Sequence, residues 1–207
     1  HAQNEGPTTQ VSRQVYEALV QRGLDMKIGP ALATSWKATD PNTWVFQLRK
    51  DAKFSDGSGM TSADVVFSIL RAKQRTSDFK EYISTVSNVE AVGDYAVKII
   101  TSKPNPILLN QLSNIFIMSK AWSEKNFAMS PQNWDAGQET FSATNALGTG
   151  PFKITLREPN TKTVFKRNKH WWGEMDDNGL TKIELLPIKN AATRVAALLS
   201  GEIDLVT

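Results

Sequence analysis

The side chains that most often carry chemistry are few in this chain and widely spaced. Its two histidines, His1 and His170, are too far apart to form a metal-binding pair at helical spacing. Ser58 lies between Gly57 and Gly59, but this pattern differs from the nucleophile elbow of hydrolases. The sequence contains no cysteine, which excludes thiol catalysis and disulfide bonds. We therefore expect no catalytic residue, no metal site and no cofactor.

Three further groups of residues could take part in chemistry, and each has a simpler structural interpretation. The GTGP run at 148–151 lacks the third glycine of a dinucleotide-binding fingerprint and is expected to be a tight backbone passage. The DDNG run at 176–179 lacks the spacing of a calcium loop and is expected to be a solvated turn. Glu202 and Asp204 alternate at a predicted strand end. None of these groups predicts an enzyme.

The clearest structural element begins with a strand in the run TWVFQLR, from Thr43 to Arg49. Trp44, Phe46 and Leu48 alternate with polar residues, apart from Val45, so one face of the strand is expected to enter a core. The small residues DGSG at 56–59 tolerate turn geometry and follow this strand closely.

A helix is predicted directly after this turn. Thr61 followed three residues later by Asp64 forms a capping-box pattern. Apolar residues at three- and four-residue spacing predict one buried stripe, formed by Val65, Val66, Ile69 and Leu70. Strand, turn and helix are expected to pack together.

Before this element, a polar loop from His1 to Thr9 is expected to lead into a helix that ends at Gly23. Val11, Val15 and Leu19 would form the apolar face of that helix. After it, a second helix is predicted from about Ser77.

The later part of the chain predicts a hairpin at 90–101 and leaves 107–119 open between a helix and a short element. The segment 123–146 is weakly patterned and is expected to be a long surface excursion. A second hairpin follows within 152–168, then a strand at 182–186, a helix at 191–200 and a last strand at 203–206. The last three form a strand-helix-strand unit.

Composition limits the function classes. The 207 residues are 40% apolar and 22% charged, which is ordinary for a folded globular protein. The net charge is +3, from 24 basic and 21 acidic residues, and no run of lysine and arginine exceeds two. A nucleic-acid surface is therefore not expected. Six tryptophans are many for this length and would suit a receptor that encloses varied side chains.

Several segments resemble a known family. The run LRKDAKFSDGSGMTSADVVFSILRA resembles the most recognisable segment of the extracellular solute-binding proteins of family 5, receptors of peptide and nickel ABC importers. Five other segments are similar to family segments in the family's order: VYEALV, PALATSW, GTGPFKI, FKRNKHWWGE and ATRVAALLSGEIDLV. The resemblance covers nearly the whole chain, with a looser match over 77–146.

The resemblance implies a mixed α/β fold of the periplasmic-binding-protein type II class. By analogy, residues 1–18 and 147–207 belong to an incomplete lobe that carries the termini, and residues 19–146 form a smaller inserted α+β domain. The second lobe would be absent, because typical members are more than twice this length and the chain resembles a fragment cut at both ends.

The resemblance also implies a function. The chain would belong to a monomeric receptor in the periplasm, or lipid-anchored at the outer face of the cytoplasmic membrane. It would bind peptides or a related small solute between two lobes and deliver them to the membrane permease subunits of an ABC importer. Nickel chelates and oligosaccharides are alternative solutes, and a hydrolase domain is the alternative from another class.

The resemblance suggests ligand contacts in three places. Glu5 and Gly6 match a Glu-Gly pair that lies in the ligand cleft of peptide-binding members, and Asn4 and Pro7 are their neighbours. Tyr82 and Trp122 are placed near the cleft by looser matches. The alternative for the first group is a solvent loop that caps the first helix.

Overall fold

The computed structural model describes residues 6–133, 135–175 and 179–206. The helices are α1 (Gly6–Val15), α2 (Ser62–Ala72), α3 (Leu108–Leu112), α4 (Lys120–Lys125) and α5 (Ala191–Ser200). The strands are β1 (Val20–Arg22), β2 (Ile28–Pro30), β3 (Ala33–Asp40), β4 (Thr43–Leu48), β5 (Val86–Ala91), β6 (Ala96–Thr101), β7 (Phe152–Glu158), β8 (Lys162–Arg167) and β9 (Lys182–Leu185). They form a β1-β2 hairpin, a sheet in the order β3-β4-β6-β5 and a sheet in the order β7-β8-β9. Each of these strand pairings is antiparallel.

The strand, turn and helix predicted between Thr43 and Ala72 are confirmed. In β4, Phe46 and Leu48 are buried and Gln47 between them is exposed, as a period of two requires. At the turn, Gly57 has a φ of 95°, a backbone conformation that favours glycine. In the capping box that begins α2, the Asp64 carboxylate accepts the Thr61 N–H at 2.8 Å.

The predicted apolar stripe of α2 is wrong at one position. Val65 and Ile69 are buried, but Leu70 is 48% exposed and Arg71 is buried beside it. The Arg71 guanidinium donates hydrogen bonds to the carbonyl oxygens of Ala128 and Ser130, at 3.1 and 2.9 Å. The chain around 128–130 therefore covers a flank of the helix that hydrophobic spacing alone assigns to solvent.

The first helix is shifted relative to its prediction. It begins at Gly6, inside the predicted loop, and ends at Val15, well before Gly23. Its last turn is closed by the N–H of Gly150, which donates to the Val15 carbonyl at 2.8 Å. Leu19 is buried as expected, but from extended chain that leads into β1. Gly23 lies instead in the turn between β1 and β2.

Two other helical or strand predictions are corrected. The helix expected from Ser77 is a short 3₁₀ helix at Lys80–Ile83. Residues 203–206 form no strand, since within the described residues they have no strand to pair with. The two hairpins, strand β9 and helix α5 occur as predicted, with Asn190 accepting the Thr193 N–H at 3.0 Å and Gly201 ending the helix at a φ of 76°.

The segment left open at 107–119 contains the short helix α3 followed by extended chain. The segment expected as a surface excursion, 123–146, contains part of α4 and a 3₁₀ turn at Phe141–Ala143. It also contributes buried residues such as Ala128 and Gln132, so it packs on the protein more closely than expected.

Two hydrophobic clusters hold these elements together. The larger cluster lies between the four-stranded sheet and α2, and its fully buried members include Phe46, Ile69 and Ile99. The smaller cluster joins α1, the extended chain at 116–118 and β8, where Phe165 is buried. The candidate site lies beside the smaller cluster.

Candidate functional site

A cavity of about 530 Å³ lies where the end of α1, strand β1 and the chain after α3 meet residues from the GTGP segment and the turn at 168–172. Its lining residues are Arg13, Tyr16, Glu17, Ala18, Val20, Gln21, Arg22, Ala31, Ser113, Asn114, Phe116, Pro151 and Trp171. This volume falls in the range of pockets that hold small organic molecules. The wall combines aromatic side chains with amide, hydroxyl and charged groups.

The glycines of GTGP bring one wall of the cavity against the end of α1. The Gly150 N–H donates to the Val15 carbonyl at 2.8 Å, and the Gly148 carbonyl accepts the Ser55 N–H at 3.0 Å. A Cβ atom on Gly148 would lie 2.1 Å from the Val15 carbonyl oxygen, so no larger residue fits there without movement. The expected tight backbone passage is confirmed, and it places Pro151 at the cavity.

The Glu17 carboxylate lies between two indoles at the side of the cavity. Trp171 Nε1 donates to its Oε1 at 3.2 Å, and Trp172 Nε1 donates to its Oε2 at 3.0 Å. Burial raises the pKa of Glu17, although these hydrogen bonds and the charge of Arg49 offset part of the rise. Arg49 stacks on the other indole, with its Cζ 3.2 Å from the Trp172 ring centroid. Trp171 is therefore held in position as a wall of the cavity.

His170 begins the same turn and faces the predicted DGSG turn. Its imidazole packs beside Gly57, where an added Cβ would lie 3.3 Å from Nε2. The backbone N–H of His170 donates to Asn168 Oδ1 at 3.0 Å. Asn168 also donates from Nδ2 to the Gly150 carbonyl at 2.8 Å. The turn at 168–172 thus contacts both the GTGP segment and the turn before α2, and His170 is half-buried, as its aromatic neighbours suggest.

Two arginines give the cavity its charge. Arg13 and Arg22 are both exposed, and Arg22 Nη2 donates to Asn110 Oδ1 at 2.7 Å. Within the described part of the chain, neither guanidinium has a carboxylate within 4.0 Å. Glu17 is the one acidic residue among the described residues of the cavity lining. The described residues also contain no cluster of three histidine, cysteine, aspartate or glutamate groups that could hold a metal ion.

Of the residues predicted to contact a ligand, Tyr82 and Trp122 are not among the described residues that line this cavity. Asn4 and Glu5 lie outside the described residues, and Gly6 and Pro7 form the start of α1, the end remote from Arg13.

The two aromatic candidates are half-buried on separate elements. Tyr82 lies in the 3₁₀ helix with its ring 5.8 Å from that of Phe79, and Trp122 lies in α4 with its ring 5.7 Å from that of Phe141. Both pack against the larger hydrophobic cluster. Their role as ligand contacts stays a prediction.

Sequence reasoning missed the residues that line the cavity. Arg13 and Arg22 lie in a segment whose spacing predicts one helix up to Gly23, and nothing in the sequence pattern marks Trp171 as their neighbour. One signal was available for Glu17, because it is a charged residue inside the apolar run VYEALV, and charged residues are seldom buried without partners.

No helix among the described residues is both long enough and apolar enough to cross a bilayer.

Comparison with known proteins gives consistent matches. Residues 27–207 match the family model of the bacterial extracellular solute-binding proteins, family 5 Middle. The periplasmic murein peptide-binding protein MppA of Escherichia coli K12 is 29% identical over 221 residues, covering 96% of this chain and 39% of MppA. The nickel-binding periplasmic protein of Escherichia coli K12 is 29% identical over 197 residues, covering 93% of this chain and 35% of that protein.

The fold is similar to solved structures of the same kind. NikA from Brucella suis, solved in complex with Fe(III)-EDTA, superposes with a TM-score of 0.83 at 30% identity and covers 100% of this chain and 40% of NikA. The mixed α/β fold of periplasmic-binding-protein type II is thereby confirmed, and the chain spans about two fifths of the length of these relatives. Since the family model matches most of the chain, from residue 27 to residue 207, the chain belongs to the bacterial extracellular solute-binding proteins of family 5.

Proposed function

We propose that this chain is part of a solute-binding receptor that delivers a peptide, or a related small solute, to the membrane permease of an ABC importer. The observation that carries the proposal is the cavity of about 530 Å³ beside Glu17 and Trp171, in a chain of this family. Its mixture of aromatic, amide and charged groups suits a small polar organic solute. Binding, rather than catalysis, is the proposed activity. The proposed location is the periplasm, or the outer face of the cytoplasmic membrane through a lipid anchor. In support of the periplasm, MppA and the nickel-binding relative are both named as periplasmic proteins.

The proposed mechanism is closure of two lobes around the solute. We propose that residues 1–18 and 147–207 belong to one lobe and that residues 19–146 form a smaller inserted domain. In support, the four-stranded sheet lies within 33–101 and the three-stranded sheet lies within 152–185. A solute that contacts both lobes selects the closed state, and the permease would recognise that state.

Asn4, Glu5, Gly6, Pro7, Tyr82 and Trp122 are kept as proposed ligand contacts. Glu5 would pair with the ammonium group of a peptide. A Glu5→Gln variant with unchanged peptide affinity would remove this role. The same measurement on Tyr82→Ala and Trp122→Ala, each compared with a fully folded control, tests the two aromatic residues.

A nickel complex is the second candidate solute, because one relative is named as a nickel-binding periplasmic protein. The cavity itself offers no cluster of metal ligands among the described residues. A nickel ion would therefore enter as a chelate whose organic part makes the contacts. An oligosaccharide and a hydrolase activity are further alternatives that the following experiment separates.

The testing experiment uses the longest natural form of the protein, purified from its native source without refolding. The protein is denatured, and the released small molecules and metals are identified by mass spectrometry. Released short peptides support the peptide receptor, whereas a metal complex or a sugar keeps the receptor and changes its solute. Turnover of a co-purified compound by the native protein would overturn the proposal in favour of an enzyme.

A further inference from the structure

We infer that the cavity binds an anionic group of the solute, a carboxylate, between the guanidinium groups of Arg13 and Arg22. This inference rests on the proposed solute-receptor function and specifies the chemistry of its ligand. The requirement for an anionic group on the solute does not follow from the family relationship. Relatives in the family are named for solutes as different as a murein peptide and nickel.

The first argument is that the two cations have no acidic partner among the described residues. Arg13 lies on α1 and Arg22 on β1, and both line the cavity. Neither forms an ion pair with any residue that the structure describes. Arg49, by contrast, pairs with Asp51 at 2.9 Å. Arg22 does donate to the neutral amide oxygen of Asn110, which leaves its charge uncompensated. Two guanidinium groups without a carboxylate partner among the described residues, at one concave surface, create a positive potential that attracts an anion.

The second argument is that the acid in the lining does not neutralise them. Each oxygen of the Glu17 carboxylate accepts a hydrogen bond from a different indole, Trp171 or Trp172. Both of its oxygens are therefore engaged by the aromatic turn, and among the described residues Glu17 forms no ion pair with Arg13 or Arg22. The charge that remains open to a solute comes from Arg13 and Arg22.

The third argument is the match between donors and carboxylate geometry. A guanidinium presents parallel N–H groups that pair with both oxygens of a carboxylate. Gln21 and Asn114 add amide groups that can donate to the same group, although one N–H of Asn114 already donates to the Asn110 carbonyl at 3.0 Å. The Ser113 hydroxyl donates to the same carbonyl at 2.8 Å, so it is not a donor to the solute. Tyr16, Phe116 and Trp171 then provide apolar walls for the organic remainder of the solute.

The test follows the arginine side chains directly. The Nε–Hε resonances of the ¹⁵N-labelled chain are recorded by NMR during titration with succinate, with its neutral diamide succinamide, and with inorganic phosphate. The inference expects saturable shifts of the Arg13 and Arg22 resonances with succinate and none with succinamide. Arg75, which is exposed and does not line the cavity, reports non-specific anion binding. Saturation by phosphate with no response to succinate would overturn the carboxylate assignment.

A variant series gives the magnitude. Removing both exposed charges in Arg13→Gln with Arg22→Gln should weaken succinate binding about tenfold, since each exposed pair contributes modestly. Arg75→Gln should leave it unchanged. Equal affinities of wild type and the double variant, or no saturable shift in wild type, would overturn the inference.

These outcomes are distinct from failure of the receptor function. A neutral solute released from the native protein would overturn the anion site and leave the receptor standing. Turnover by the native protein would overturn the receptor, while the succinate titration would still decide whether Arg13 and Arg22 bind an anion.

Discussion

Replacement of the GTGP glycines by alanine tests how the wall of the cavity is held. A Cβ on Gly148 would lie 2.1 Å from the Val15 carbonyl oxygen and 2.7 Å from the Tyr16 ring. A Cβ on Gly150 would lie 2.7 Å from the Val15 carbonyl carbon and 2.9 Å from the Gln14 carbonyl oxygen. Both added Cβ atoms would clash with backbone atoms, which cannot move aside as the end of a flexible side chain can.

Two opposing terms set the magnitude. Alanine restricts the unfolded chain and stabilises the fold by about 0.4–1 kcal/mol where the native site accepts it. Forcing a methyl group into packed surroundings costs about 1–3 kcal/mol, and sometimes more. The Gly148 contact is shorter by several tenths of an ångström, so we expect Gly148→Ala to lower the free energy of unfolding by about 3 kcal/mol and Gly150→Ala by about 2 kcal/mol.

Urea denaturation, followed by circular dichroism and by tryptophan fluorescence, measures these changes as shifts of the midpoint. Gly59→Ala is the matched control, because nothing lies within 4 Å of an added Cβ and its φ is not positive. It should be neutral or stabilise the chain by up to about 1 kcal/mol. If Gly148→Ala behaved like Gly59→Ala, the close approach to Val15 would not exist in solution and the cavity wall would be placed wrongly.

Three further predictions concern single side chains. Asp64→Ala should cost about 2–3 kcal/mol of unfolding free energy, against about 1 kcal/mol for Thr61→Ala, because the buried Asp64 carboxylate also accepts the Lys120 N–H at 2.8 Å. Arg71→Met should cost about 3 kcal/mol, since it leaves two carbonyl groups without their donor. Arg75→Met, at an exposed position in the turn after α2, should cost almost nothing. Because the folded-state pKa of Glu17 is raised, its favourable contribution relative to Glu17→Gln should be complete below pH 4.5 and be lost as pH rises through that folded-state pKa.

Each of these predictions has an outcome that contradicts it. Equal losses in Asp64→Ala and Thr61→Ala would show that the cap alone carries the effect. An Arg71→Met variant as stable as Arg75→Met would show that the loop at 128–130 does not depend on the buried cation. Parallel stability profiles of wild type and Glu17→Gln between pH 4 and pH 7 would show that Glu17 titrates normally in the folded chain.

The sequence predicted elements well where the signal is local. For α2, the cap at Thr61, the turn before it and the apolar spacing all lie within a few residues of one another, so one interpretation satisfies them all. For α1 the signal was misleading. Val11, Val15 and Leu19 have helical spacing, yet the helix ends at Val15 because its carbonyl pairs with Gly150, more than a hundred residues later. Tertiary contacts therefore overrode the local pattern there.

The candidate site could not be predicted in the same way. Its wall is assembled from residues within 13–22 and 113–116 and from residues 31, 151 and 171, which lie far apart in sequence. Nothing in the local pattern of any one segment marks the others as neighbours. The burial of Arg71 could not be predicted from local sequence either. Arg71 is buried while Leu70 beside it is exposed, because the Arg71 guanidinium donates to carbonyl groups of a loop distant in sequence.

The residues around the cavity fall into two groups, those held by contacts within the fold and those that are exposed. Glu17 and Gly150 are tied to partners that would be lost together with the wall, so changes there should alter stability and solute affinity at once. Arg13 is exposed and has no ion pair among the described residues, so its charge can change with little effect on the fold. Under the proposed receptor function, Arg13 and Arg22 could therefore vary with the solute while the GTGP segment and the indole pair keep the cavity in place. This division would be contradicted if a change of solute required substitution of Glu17 or Gly150, while substitutions of Arg13 and Arg22 had no effect on solute affinity.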